Sequence, residues 1–255
     1  MYEKELQVAK DIAKQAGVVM LKYFDGDQQI QIKEDASVVT IADKEINRLV
    51  IKELSKNFDD VIIGEEESTG VYGMGRRWFC DPIDGTRAFI WGTPTAMFSL
   101  GLVIDGIPVL GVVYDPFLDK LYEGRVDQGS FCNGMPLKVS NNKLDGGIVA
   151  VSSTVSRLLN RKSNYLNSLI NQGVEFASFS GAVYKACLVA RGKFIGFFGE
   201  GVVAHDMAAV QVVVEESGGK ITDFNGNKLD YSKPFKGVIV SNGIVHDKLI
   251  KSINF

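Results

Sequence analysis

Leu6, Ala9, Ala13, Ala16, Met20 and Tyr23 recur at alternating steps of three and four among Lys, Asp and Gln. One apolar stripe of that period predicts an amphipathic helix, and Gly26-Asp27 supplies its stop. A second helix is predicted from near Thr40, with Ile46, Leu49, Val50 and Leu54 on its inner face. Thr40-Ile41-Ala42-Asp43 has the form of a capping box, a hydroxyl at the N-cap and a carboxylate three residues on. From Val61 the period shortens. Val61-Ile62-Ile63 and Arg77-Trp78-Phe79-Cys80 read as short buried strands, each ending in acids. A meander follows: Met97–Ile104, an Asp105-Gly106 turn, Val109–Tyr114 and Leu121–Arg125, with Phe131-Cys132 running into a turn at Asn133-Gly134.

The polar, Gly-containing stretch 140–147 is the best candidate for an internal boundary. Beyond it strand and helix alternate. Strands are predicted at Ile148–Val151, Val174–Phe179, Phe194–Phe198, Lys220–Thr222 and Val238–Val240. Helices are predicted at Tyr165–Asn171, Ala182–Arg191, Asp206–Ser217 and Val245–Ile253. The fold class is therefore α+β: an α+β half over 1–143 beside an α/β half over 144–255, within one domain of 1–255.

Composition narrows the function. The 255 residues are 45% hydrophobic and 23% charged, and 28 Lys+Arg against 31 Asp+Glu give a net charge of −3. Nucleic-acid polymers and anionic membranes are poor partners for such a balance. Cys80, Cys132 and Cys187 are far apart, and His205 and His246 are the sole histidines, so neither a disulfide framework nor a His-rich zinc site is available. A metal here would be held by carboxylates. Glu3 and Glu5 break any signal-peptide pattern, and no apolar run reaches membrane-spanning length, so a cytoplasmic chain is expected.

The acids gather where strands are predicted to end. Gly64-Glu65-Glu66-Glu67 follows one strand and Asp81-Pro82-Ile83-Asp84-Gly85-Thr86 follows the next. Asp81 and Asp84, three apart across a Pro-containing turn, can bend toward one point, and the Ile83 carbonyl can join them. Carboxylate and carbonyl oxygens suit Mg²⁺. The Gly85 and Thr86 N–H groups beside them suit a phosphate oxygen. Each feature alone has a plainer reading: a solvated acidic loop, an Asx-type turn, or helix caps at Asp43 and Asp206. Together they describe metal-assisted phosphoryl transfer.

At this point the sequence resembles the inositol monophosphatase family of Mg²⁺-dependent, lithium-sensitive phosphatases. The resemblance rests on Gly64-Glu65-Glu66, Trp78 to Thr86 (WFCDPIDGT), Gly111 to Pro116, Gly129 to Gly134, Cys187 to Ala190, and Asp206-Met207-Ala208-Ala209 with Glu216 to Gly219. It implies a layered α/β/α/β/α sandwich, a homodimer, and in-line hydrolysis of a small phosphorylated metabolite by an activated water. It also implies roles by position. Glu65, Asp81 and the Ile83 carbonyl would hold a first Mg²⁺, Asp81, Asp84 and Asp206 a second, and Glu65 would share a third. Asp43 and Thr86 would orient the attacking water, and Gly85 and Thr86 would grip the phosphate. Glu66 would support the ligands from behind.

Substrate choice is less determined. The implied substrate is inositol 1-phosphate or a similar polyol or sugar monophosphate. Histidinol phosphate, fructose 1,6-bisphosphate and a 3′(2′),5′-bisphosphate nucleotide are the alternatives within the superfamily. A catalytically silent phosphate-binding protein is the alternative outside it. His205 stands where the family usually has Trp, and the family's substrate-contacting acid aligns with Gly199, leaving Glu200 one residue late. Arg87-Ala88-Phe89 after Thr86 looks more like the histidinol-phosphate branch. Ala182, at the start of a predicted helix, borders the substrate by position.

Overall fold

The computed structural model describes residues 1–34, 36–152 and 166–253. Its first helix, α1 (Glu3–Phe24), buries Leu6, Ala9, Ala13, Ala16 and Met20, with Ile12 added to the stripe read from the sequence. The second, α2 (Ile41–Asn57), begins at a capping box on Thr40 and Asp43. Between them a two-stranded antiparallel ribbon, β1 (Gln31–Ile32) and β2 (Val38–Val39), was not predicted; each strand is only two residues long, too short for a period to show.

Seven strands form the larger sheet: β3 (Val61–Gly64), β4 (Arg76–Asp84), β5 (Met97–Ile104), β6 (Ile107–Asp115), β7 (Lys120–Arg125), β8 (Gly129–Cys132) and β9 (Met135–Pro136), in that order. Only the β3–β4 pair is parallel. A five-stranded sheet has the order β11 (Glu175–Ser178), β10 (Ile148–Val151), β12 (Gly196–Gly199), β14 (Val238–Ser241), β13 (Lys220–Thr222). Its β10 pairs parallel with both neighbours, whereas β14 is antiparallel to both of its own. The remaining helices are α3 (Thr86–Ile90), α4 (described over 166–170), α5 (Ala182–Ala190), α6 (Ala204–Glu216) and α7 (His246–Ile253). Tyr165, the predicted start of α4, lies outside the described residues.

Three apolar clusters lie between five layers. Helices α1 and α2 pack on one face of the larger sheet through Trp78, Cys80, Leu100 and Val112. On the opposite face Phe79 and Val113 meet α5, α6 and the inner side of the smaller sheet. Its outer side, with Val149, Val151 and Ile239, is covered by Leu166, Leu169 and Leu249. Strand alternation accounts for this: neighbouring residues such as Trp78 and Phe79 face opposite layers. The expected layered sandwich is present.

The seat of α6 is set by missing side chains. Gly101, Gly111 and Gly124 are register partners across β5, β6 and β7, so they form one row on the sheet. A Cβ on Gly111 would overlap the Ala209 carbonyl oxygen, and one on Gly101 would lie 2.6 Å from the Ala209 nitrogen. Backbone therefore packs against backbone, and α6 lies close on β5 and β6.

Candidate active site

Strand β4 does not stop where its apolar run does. It continues through the acids, pairing Asp81 with Ser99 and Asp84 with Met97. Three steps on β4 lie against two on β5, so the predicted turn is instead a bulge inside a strand, a position that tolerates Pro82 without its N–H. The Ile83 N–H donates to Asp81 Oδ1 at 3.1 Å. Asp81 and Asp84 are almost wholly buried, and Asp206 arrives from α6 so that oxygens of all three lie within 4.8 Å of one another.

Asp206 is not an N-cap, as one reading of the sequence had it. The helix starts two residues earlier, at Ala204, and the Asp206 carboxylate reaches back to accept the Val203 N–H at 2.8 Å. Asp43 occupies the same third position in α2. Its Oδ2 accepts from the Thr40 N–H at 2.7 Å and from the Thr40 hydroxyl at 2.5 Å, which leaves Oδ1 for the Thr86 hydroxyl at 3.4 Å. The Thr86 hydroxyl also lies 3.1 Å from the Ile83 carbonyl. Helix capping thus holds two carboxylates in place and still leaves each an oxygen for the site.

Asp84 is gripped differently. Its Oδ1 and Oδ2 accept from the Ala182 and Val183 N–H groups at 2.9 and 2.8 Å, so the first turn of α5 is engaged by an acid of the chain itself. Gly85 and Gly181 make this approach possible: a Cβ on Gly85, at φ 86°, would sit 3.0 Å from the Gly181 Cα. Glu65 follows Gly64, the register partner of Cys80, and so stands beside Asp81. Its side chain lies outside the tight triad and pairs with Lys33 at 3.2 Å, while Glu66 binds the same ammonium at 2.5 Å. Glu200 is exposed, and Gly199 has no room for a side chain, since a Cβ would meet Val202 and Val238 at 2.8 Å. His205 Nε2 lies 3.6 Å from Asp206 Oδ1.

Burial dominates the electrostatics. It raises Asp81 well above the usual carboxylate range, with Glu65, Asp84 and Asp206 adding repulsion. Burial and then Asp206 push Asp84 up to about 7, against its two N–H bonds and the Lys185 charge. Asp43 is raised by burial to about 7 despite its Thr40 bonds. Asp206 is raised by burial, with His205 opposing. Carboxylates packed this way cannot all ionise without a counter-charge. Thr95 Oγ1 and Ser99 Oγ, the latter opposite Asp81 on β5, are buried without a hydrogen-bond partner among the described residues. An all-oxygen, electron-rich set of this kind fits a hard divalent cation.

The inositol monophosphatase family model matches residues 1–255. The chain belongs to that family. A histidinol-phosphatase of Chlorobaculum parvum is 33% identical over 98% of this chain and 96% of its own. Inositol monophosphatase 1 of Solanum lycopersicum is 32% identical over 89% of this chain and 87% of its own. Among solved structures, an IMPase of Thermotoga maritima superposes with a TM-score of 0.87 at 28% identity, covering 100% of this chain and 97% of that one. Membership makes this chain a metal-dependent phosphatase, a phosphoric monoester hydrolase acting on small phosphorylated substrates. No helix among the described residues is long and apolar enough to cross a membrane.

Two residues at the site escaped the sequence reading. Lys33 sits on the short ribbon, where no pattern pointed to it. Lys185 did leave a signal: it is a lone charge in Ala182–Ala190, among aliphatic residues, a Cys and a Tyr of which most are buried. Burial pushes its ammonium down to about 8, with Asp84 the charge that opposes the shift.

Proposed function

We propose that this phosphatase hydrolyses inositol 1-phosphate or a similar polyol or sugar monophosphate, using two to three Mg²⁺ ions. The convergence of Asp81, Asp84 and Asp206 to within 4.8 Å carries the reading. Bound Mg²⁺ would supply Lewis-acid activation of water and neutralise charge on the phosphoryl and leaving oxygens. Asp81, Glu65 and the Ile83 carbonyl would hold one ion, Asp81, Asp84 and Asp206 a second, and Glu65 would share a third. Asp43 accepts a hydrogen bond from the Thr86 hydroxyl, and the pair orients the attacking water. The Gly85 and Thr86 N–H groups, at the start of α3, hold the phosphate. Ala182, Glu200 and His205 border the organic part of the substrate.

Phosphate release from inositol 1-phosphate, histidinol phosphate, fructose 1,6-bisphosphate and a 3′-phosphoadenosine nucleotide, with and without Mg²⁺ and Li⁺, tests the reading. Mg²⁺-dependent release that Li⁺ inhibits is the expected outcome. No release from any of the four would favour a silent phosphate-binding protein. Arg87 supports histidinol phosphate as the second reading. It is exposed, one residue beyond Thr86, and makes no ion pair among the described residues. Faster turnover of histidinol phosphate, lost in Arg87→Ala, would favour it. The resemblance also carries a cytoplasmic homodimer, and light scattering on the purified chain reads the dimer directly.

A further inference from the structure

Strand β5 alternates its side chains between two layers. Phe98, Leu100 and Leu102 belong to the core under α1 and α2, Met97 and Val103 to the core under α5 and α6. Ser99 falls on the second side, as does Gly101, which meets Ala208 and Ala209 of α6. On β4, Phe79 marks the same face, so Asp81, two residues on, shares it. Asp81 and Ser99 are register partners, which makes their side chains immediate neighbours across the two strands. Ser99 is fully buried, and its Oγ has no hydrogen-bond partner among the described residues. On its other flank stands Val113, which has no polar side-chain atom to offer. A buried hydroxyl left unpaired is costly, and the acceptor that the register places beside it is the carboxylate of Asp81.

We propose that Ser99 is a positioning residue for Asp81, donating its hydroxyl hydrogen to that carboxylate when the carboxylate holds a divalent cation. It acts through Asp81 and does not touch substrate. A carboxylate that ligates a metal is itself held by hydrogen bonds, which fix the direction of the lone pair given to the ion. The Ile83 N–H supplies one such bond, to Asp81 Oδ1 at 3.1 Å. Ser99 supplies another from the neighbouring strand, across a gap that a side-chain rotation or one bridging water closes. Ser130 on β8 provides the contrast. Its hydroxyl is also buried and without a partner among the described residues, but its register partner is Gly124. The inference rests on the reading that Asp81 holds a cation.

Calorimetric titration with Mg²⁺ alone, on the full chain without substrate, tests it. Ser99→Ala is expected to weaken one class of Mg²⁺ site about tenfold, the scale on which hydrogen-bond partners of metal ligands act. Without Mg²⁺ the same variant should melt at the wild-type temperature or above, because it removes a hydroxyl that bonds to nothing in the metal-free chain. Ser130→Ala should share that melting behaviour and leave Mg²⁺ binding unchanged. Wild-type Mg²⁺ affinity in Ser99→Ala, equal weakening in both variants, or a lower metal-free melting temperature in Ser99→Ala overturns the inference. Asp81→Asn separates the two levels. If it loses no class of Mg²⁺ site, the ligand assignment itself fails. If it loses one while Ser99→Ala binds as the wild type does, only the part given to Ser99 falls.

Discussion

Two buried polar regions of this molecule are built on opposite terms. At the rim of the larger sheet, Asp81, Asp84 and Asp206 crowd together with few partners, and burial lifts all three out of the ordinary carboxylate range. Under α7, His246 is completely buried, yet Nε2 meets the Thr222 hydroxyl at 2.9 Å and Nδ1 the Ser241 hydroxyl at 2.8 Å. Nearby, Asn242 Nδ2 donates to the Asn142 carbonyl at 2.9 Å. Desolvation is unfavourable in both places. In the second it is offset within the chain by hydrogen bonds. In the first the chain supplies less of that compensation and the oxygens suit a cation, which is how a phosphatase site differs from a core polar cluster. Changes in the acidic region should therefore alter activity more than fold, and changes in the His246 region the reverse.

The largest effect is expected from Asp84→Asn. Mg²⁺-dependent phosphate release should fall by about 10³-fold or more while the circular dichroism spectrum stays that of the native fold. Lost repulsion offsets the one backbone N–H that an amide leaves without its carboxylate acceptor. Full activity in this variant would sink the ligand assignment. Thr86→Val should follow, with about 10²-fold lower kcat at unchanged melting temperature, since it removes a hydroxyl from the site and no packing. Gly111→Val crosses the comparison. It should lower stability by about 3 kcal/mol by forcing α6 off the sheet, and lose activity too, because Asp206 moves with that helix. Native melting and native kcat in Gly111→Val would show that the glycine row does not seat Asp206.

The fold was legible wherever a period had room to show. The stripe of α1, the capping box of α2 and the strand–turn–strand meander all appear close to their predicted limits. What failed was short or tertiary in origin. The β1–β2 ribbon is too brief for any period, and the bulge at Asp81–Asp84 reads as a turn because Asp, Pro and Gly are turn formers. At the site, residue types and spacing pointed to Asp81 and Asp84 as a pair, and the family resemblance added Asp206, whose oxygens the fold brings within 4.8 Å of theirs. The Lys33 clamp on Glu65 and the engagement of the α5 N-terminus by Asp84 depend on elements far apart in sequence, and no local pattern encodes them.

His246 gives the smallest and most selective test, because it sits away from the acids. Burial lowers its pKa to about 4, with Lys220 adding to the shift and Asp247 opposing it. The folded chain therefore binds fewer protons at this ring than the unfolded chain, whose histidine titrates near 6.5. Stability from the neutral ring is complete above about 6.5 and is lost as pH falls from there through about 4. Thermal melts of the metal-free protein between pH 7 and pH 4 should slope more steeply downward in the wild type than in His246→Gln, which has no ring to protonate. Phosphate release per folded molecule at pH 7 should be the same in both within about twofold, as expected for a substitution remote from the reacting groups. Parallel slopes would mean that burial does not hold the ring neutral. A large loss of kcat would mean that the two buried regions are coupled through the smaller sheet, and the contrast between them would no longer hold.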